Sequence, residues 1–169
     1  VVNLDGQDYT VGVLVLSNHG RLKDLTINGK NIGKKIAHEQ GILTEPDKGS
    51  IISIIATDIP LSSRQLDRIC KRAGVGLARL GSYIGHYSGE IMIAFSTANI
   101  LREQDDNSII NIQILKEDKI DSIFRAVAEC EEEAVLNSMI TSAKVIGYEG
   151  NTRESLKDYI HLLHKETLD

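Results

Sequence analysis

The chain has 169 residues, 41% of them hydrophobic and 25% charged. That is about one domain of ordinary globular composition, which excludes disordered and collagen-like classes. A formal charge of -5 and a pI near 5.5 leave no electrostatic footprint for a phosphate backbone, and 4% aromatics with no tryptophan give no stacking platform for single strands, so no nucleic-acid partner is expected.

Val1 opens directly onto strand-like sequence, without a basic and then apolar secretory leader, so a processed or truncated piece of a longer protein is expected. Tyr9 to Ser17 (YTVGVLVLS) is rich in β-branched and apolar residues and predicts a buried strand, ended by the turn residues Asn18-His19-Gly20. Leu25 to Ile36 carries Asn28-Gly29, a type I′ hairpin signal. Ala37 to Lys48 has no clear period and reads as a loop. Ile51 to Thr57 (IISIIAT) is apolar on both faces and predicts a central strand, stopped by Asp58-Ile59-Pro60.

Ser62 to Leu80 predicts a helix with Leu66, Ile69, Cys70, Ala73, Leu77 and Leu80 as its apolar stripe. Ser62 and Gln65 form a capping-box pattern at its start. Gly81 to Gly89 is a glycine-punctuated loop, and Glu90 to Thr97 and Ser108 to Leu115 each predict a strand. Lys119 to Met139 predicts a second long helix with Ile120, Ile123, Phe124, Val127, Cys130, Ala134 and Val135 inward, and Glu131 to Glu133 as a solvated face. Thr152 to Lys165 predicts a short C-terminal helix. Strands followed by helices give an α+β chain, sheet packed with helices, whose N-terminal third has strands but no helix.

No apolar run approaches the ~18 residues of a membrane helix, so no membrane partner is expected. Cys70 and Cys130 are isolated, which fits neither a disulfide framework nor a zinc module and points to a reducing compartment, the cytoplasm. The five histidines offer no metal-ligand spacing; His161 and His164 lie three apart without a third ligand.

Three places could carry chemistry. Gly49-Ser50 stands where a polar stretch meets the most buried strand. Were that bond cut, Ser50 would hold a free α-amine beside its own hydroxyl, and such an amine titrates near 7.7–8.0, an activating base for a nucleophile. Read alone, a serine ending a loop is the plainer account, because Gly-Ser is a common dipeptide. Ser88 and Glu90 project to one side of an extended chain, with Gly89 removing a side chain from the other, which lets a carboxylate orient a hydroxyl; a polar hairpin edge is the plainer account. Asn18, just past a strand, could donate its amide to an oxyanion, or simply form a turn.

These features fall into one order. GSIISIIATDIPLSSRQLDRICKRAGVGLARLGSYIGHYSGEIMIAFSTAN (Gly49 to Asn99) closely resembles the DmpA-like peptidase family, L-aminopeptidase/D-esterases and β-aminopeptidases that are autoproteolytic serine N-terminal-nucleophile enzymes. TVGVLVLSN (Thr10 to Asn18) and EEEAVLNSM (Glu131 to Met139) resemble its flanking segments.

The resemblance implies self-cleavage at Gly49-Ser50, with Ser50 the nucleophile heading the smaller subunit. It implies that Ser88 and Glu90 position the nucleophile and its amine, and that Asn18 stabilises the oxyanion. Residues 1–49 then end the larger-subunit region and 50–169 form the smaller one, within a single domain. The implied fold is an αββα sandwich of the type shared with ornithine acetyltransferase, here a partial copy lacking N-terminal strands. The implied assembly is an oligomer of αβ units, partnered by the missing N-terminal segment, and the implied substrate is a small peptide, amino-acid amide or ester, with no cofactor. Two alternatives stand beside this. An acyltransferase of the ornithine acetyltransferase type would use threonine where this chain has Ser50, and a non-catalytic homologue would keep the fold alone.

Overall fold

The computed structural model describes residues 1–42, 49–102 and 108–164. The chain opens with a hairpin of β1 (Val2–Leu4) and β2 (Gln7–Tyr9), turned by Asp5 and Gly6 at positive φ of 51° and 87°. β3 (Val11–Asn18) follows, and then the Asn28-Gly29 hairpin of β4 (Thr26–Ile27) and β5 (Lys30–Asn31), as its turn signal predicts.

Next comes a helix, α1 (Gly33–Glu39), where the sequence suggested an N-terminal third without one. Ala37 to Glu39, expected in a loop, belong to it, and positions 43–48 of that expected loop lie outside the described residues. No periodic signal marks so short a helix. It forms because Ile32 and Ile36 bury in a cluster with Leu22 and Leu25, with Ala37 buried beside them in sequence, that is, through tertiary packing.

β6 (Gly49–Thr57), α2 (Ser63–Arg79) and β7 (Ser88–Ser96) build a crossover unit. β6 is the central strand of the sheet β3-β6-β7, antiparallel to β3 and parallel to β7. The predicted capping box is formed: Ser62 Oγ accepts from the Gln65 amide, and Ser62 N–H donates to Gln65 Oε1 at 3.0 Å. α2 and α3 (Asp121–Thr141) cover one sheet face, and Ile51, Ile55, Ile69, Ala73, Leu77, Ile123, Val127 and Val135 bury between the layers.

The other face is open. Leu14, Leu16, Ile52, Ile54, Ile91, Ile93 and Phe95 stand exposed on it, Leu16 to 73%. Of the expected αββα sandwich, the described residues build one sheet and one helical layer. No helix among them is long and apolar enough to cross a membrane.

Three expectations fail on packing. The acidic run is not a uniformly solvated face, because Glu131 is fully buried. It follows Phe124, Val127 and Ala128 at helical spacing and precedes Val135, so α3 turns it toward the sheet, where Oε1 accepts from Ser53 Oγ at 2.7 Å. Glu133 is exposed, as expected, and Glu132 pairs with Arg79 at 3.1 Å.

The alternating run of 108–115 joins no sheet. Its backbone bonds go elsewhere: Gln113 N–H donates to Asn99 Oδ1 and its carbonyl accepts from Asn99 Nδ2, both at 2.9 Å, and Leu115 N–H donates to Pro60 O at 2.8 Å.

The predicted C-terminal helix is instead a small hairpin, β8 (Val145–Ile146) with β9 (Thr152–Arg153), then a 3₁₀ turn over Leu156–Tyr159 and the short α4 (His161–His164). Ser155, capping Lys157 N–H, restarts the chain after the hairpin. Lys165, the end of the predicted helix, lies outside the described residues.

Candidate active site

At one end of the sheet the strand registers bring together residues far apart in sequence. Asn18 of β3 pairs with Ser50 of β6, and Ser50 pairs with Gly89 of β7. Gly49 pairs with Ser88, and Ile51 with Glu90, so the Ser88–Glu90 triplet flanks Ser50 along the neighbouring strand. Asn18, Ser50, Ser88 and Glu90 therefore occupy three adjacent rungs.

The two faces of this strip differ. Paired residues in neighbouring strands project to the same side, so Asn18 and Ser50 share the open face with Leu16 and Ile52 of the next row on that side. Both are exposed. A Cβ built on Gly89 would lie 3.2 Å from Ser50 Oγ, so the glycine leaves that hydroxyl uncrowded. Ser88 and Glu90 project to the helix-covered side, where Ser88 Oγ donates to Glu90 Oε1 and both are half-buried. The pair thus sits beneath Ser50's strand neighbour and makes no side-chain hydrogen bond to Ser50 in the uncut chain.

Gly49 is a glycine for lack of room. A Cβ there would fall 2.2 Å from the Asn18 carbonyl oxygen and 2.7 Å from His19 Cα, inside the backbone of the departing β3. β6 runs unbroken through Gly49 into Ser50, and Ser50 Oγ donates to the Gly49 carbonyl oxygen at 2.7 Å. The hydroxyl is thereby held against the peptide group on its own N-terminal side. A hydroxyl so placed, with an amide side chain on the adjacent strand, has the parts of an acyl-transfer centre: nucleophile, carbonyl and candidate oxyanion donor.

A further contact bears on the strip and has no mark in the sequence. Ser17, in the row of Ile51 and Glu90, shares a hydrogen bond of 2.7 Å with Ser138 of α3. It ties the end of β3, and with it Asn18, to the helical layer. Among the described residues no group of three or more His, Cys, Asp or Glu is arranged to hold a metal ion.

Residues 1–153 match peptidase family S58. The chain is 36% identical over 169 residues to the β-peptidyl aminopeptidase BapA of Sphingosinicella microcystinivorans, covering 92% of this chain and 43% of that protein. Among solved structures, a protein of Pyrococcus horikoshii superposes with a TM-score of 0.84 at 43% identity, over 96% of this chain and 44% of that one. The L-aminopeptidase D-Ala-esterase/amidase of Ochrobactrum anthropi, described as a prototype for the serine aminopeptidases and a variant of the Ntn hydrolase fold, superposes with a TM-score of 0.80 at 32% identity. That match covers 95% of this chain and 47% of the other. The fold is accordingly of this Ntn hydrolase type, and the chain spans less than half the length of these relatives.

Proposed function

The chain belongs to peptidase family S58, and from that premise we propose that it carries the nucleophile of a self-processing serine aminopeptidase. The observation that supports the reading most directly is the hydrogen bond of Ser50 Oγ to the Gly49 carbonyl, in a rung shared with Asn18 and Gly89.

In the first stage Ser50 Oγ attacks the Gly49 carbonyl carbon. The C–N bond breaks as the acyl group passes from nitrogen to oxygen, and the nitrogen takes up the hydroxyl proton. Water hydrolyses the resulting ester, leaving a Gly49 carboxylate and a free Ser50 α-amine. In the second stage Ser50 Oγ attacks the carbonyl of a substrate's N-terminal residue, its own amine accepting the proton and returning it to the leaving group. Asn18 donates to the oxyanion, and water releases the amino acid. Ser88 and Glu90, one strand away, hold the new amine's neighbourhood, the carboxylate favouring the ammonium that forms in each cycle.

The substrate class is the N-terminal residue of a peptide, amide or ester. The partner is the rest of the precursor, whose strands would cover Leu14, Leu16, Ile52, Ile54 and Ile93, in an oligomer of αβ units. The free thiols Cys70 and Cys130 support a reducing compartment, the cytoplasm.

Intact-mass measurement of freshly expressed full protein is the direct test. Two products divided between Gly49 and Ser50 are expected, with Ser50→Ala remaining whole. A wild-type bond still intact after prolonged incubation overturns the reading.

A further inference from the structure

The family match ends at residue 153, and the tail beyond it packs against a part of the chain on the other side of Gly49-Ser50. Leu156 and Leu162 are buried in one apolar cluster with Ile27, Ile32 and Ile36, joined at its edge by Tyr159 and Met139. Tyr159 accepts a hydrogen bond from Gln40 Nε2, and His161 Nε2 lies 3.5 Å from Glu39 Oε1. Ser155, fully buried, fastens the base of this tail: its hydroxyl lies 3.4 Å from the carbonyl oxygens of both Met139 and Ile140, near the end of α3.

The partners are therefore divided by the proposed cut. Ile27, Ile32, Ile36, Glu39 and Gln40 belong to the fragment ending at Gly49, and the tail belongs to the fragment beginning at Ser50. The β3–β6 ladder also joins the two, yet it holds only residues 11–18 of the upstream fragment. From His19 onward, Thr26 N–H donates to the Leu80 carbonyl at 3.0 Å and Arg21 lies over the Tyr83 ring, while α1 itself meets the tail and Met139 near the end of α3.

We infer that residues 154–164 are a clasp by which the nucleophile-bearing fragment grips α1 of the upstream fragment and so retains its C-terminal arm after cleavage; the post-cleavage part rests on the reading of Gly49-Ser50 given above. A cavity of about 200 Å³ remains between tail and α1, lined by Ile36, Gln40, Ile42, Met139, Leu156 and Tyr159. A loosely packed contact opens locally, at lower free energy than the global fold, so its loss is readable apart from unfolding.

Hydrogen exchange read by mass spectrometry on the full protein tests this, comparing wild type with a truncation after Glu154 and with the milder Leu156→Ala, each also in a Ser50→Ala background that cannot cut itself. In the processed protein, both changes are expected to speed exchange of the α1 amides by roughly tenfold or more, while β6 and β7 keep their protection. The effect is expected to be smaller in the Ser50→Ala background, where the peptide bond still tethers α1. Unchanged α1 protection in both tail variants overturns the clasp, and so does equal acceleration in β6 and β7, which would mark a general loss of fold. If wild type never cuts itself, the reading of Ser50 fails, and α1 exchange with and without the tail still decides whether the clasp exists.

Discussion

Breaking the buried contact between Ser53 and Glu131 should reveal a carboxyl group whose proton the fold holds more tightly than the unfolded chain does. Glu131 is fully buried, and burial pushes its pKa above the usual 4.5, partly offset by the Ser53 hydrogen bond. Oε1 accepts from Ser53 Oγ at 2.7 Å, while Oε2 is buried with no hydrogen-bond partner among the described residues. Ser53→Ala leaves both oxygens bare, and Glu131→Leu leaves the Ser53 hydroxyl bare; each costs about 1–3 kcal/mol, the desolvation of one orphaned polar group. The double variant removes both partners and should lie close to wild type or above it, so the coupling is about 2–6 kcal/mol, the two single costs together.

The pH dependence is set by the sign of the shift. A carboxyl whose folded pKa is raised binds its proton more tightly folded than unfolded. Its contribution is therefore complete below 4.5 and is lost as pH rises toward the folded value. Urea unfolding at several pH values is the assay, and the double variant should gain on wild type as pH rises through that window. Single-variant effects that simply add, within about 0.5 kcal/mol, would refute the pairing. A double-minus-wild-type difference flat with pH would refute the upward shift of Glu131.

Two further substitutions probe the strip around Ser50. Gly89→Ala sets a methyl 3.2 Å from Ser50 Oγ, so the hydroxyl must turn or shift; self-cleavage and substrate turnover should each slow by roughly tenfold to a hundredfold, the cost of sub-ångström misplacement of a reacting group, with the melting temperature little changed. Unaltered rates in a folded variant would mean that the hydroxyl does not act from this face. Asn18→Ala removes an exposed side chain and should leave stability within about 0.5 kcal/mol of wild type, while turnover of an amino-acid ester falls by about 10²–10³ if its amide serves the oxyanion. A loss in KM alone, with kcat preserved, would assign Asn18 to substrate binding.

Elements whose cause is local were legible. Asn28-Gly29 makes its hairpin because both residues accept positive φ, 50° and 74°, and Ser62 with Gln65 starts α2 because each satisfies the other's backbone. Asp5-Gly6 carries the same kind of signal for the β1–β2 hairpin, though the strands it joins are too short to show a pattern of their own. Residues 108–115 show the limit of periodicity: alternation measures fitness for a strand and is silent on whether an edge is within reach, and here Asn99 takes the place of a neighbouring strand. Glu131 shows a second limit, since its helical phase says inward while its charge says outward, and only Ser53 across the interface decides between them. The strip itself was legible only as three weak local features joined by family resemblance. Its registers link Asn18 to Ser50 across 32 positions and Ser50 to Gly89 across 39, set by a sheet pairing that no local pattern encodes.

The same registers explain why β6 is apolar on both faces. Ile51 and Ile55 answer to the helices, whereas Ile52 and Ile54 point the other way and continue, rung by rung, the face on which Ser50 and Asn18 stand. A strand buried on one side needs only alternate apolar residues, so the apolar residues at both phases of IISIIAT fit the covering layer proposed above. The sheet therefore divides the labour of the candidate site. Support lies on the helix side, in Ser88, Glu90 and Ser17 with Ser138, while the groups proposed to touch substrate lie on the open side. A layer covering the open face as proposed would have to stop short of the row of Ser50 or build its wall, so specificity is expected to come from that layer, and catalytic geometry from the layer this chain builds.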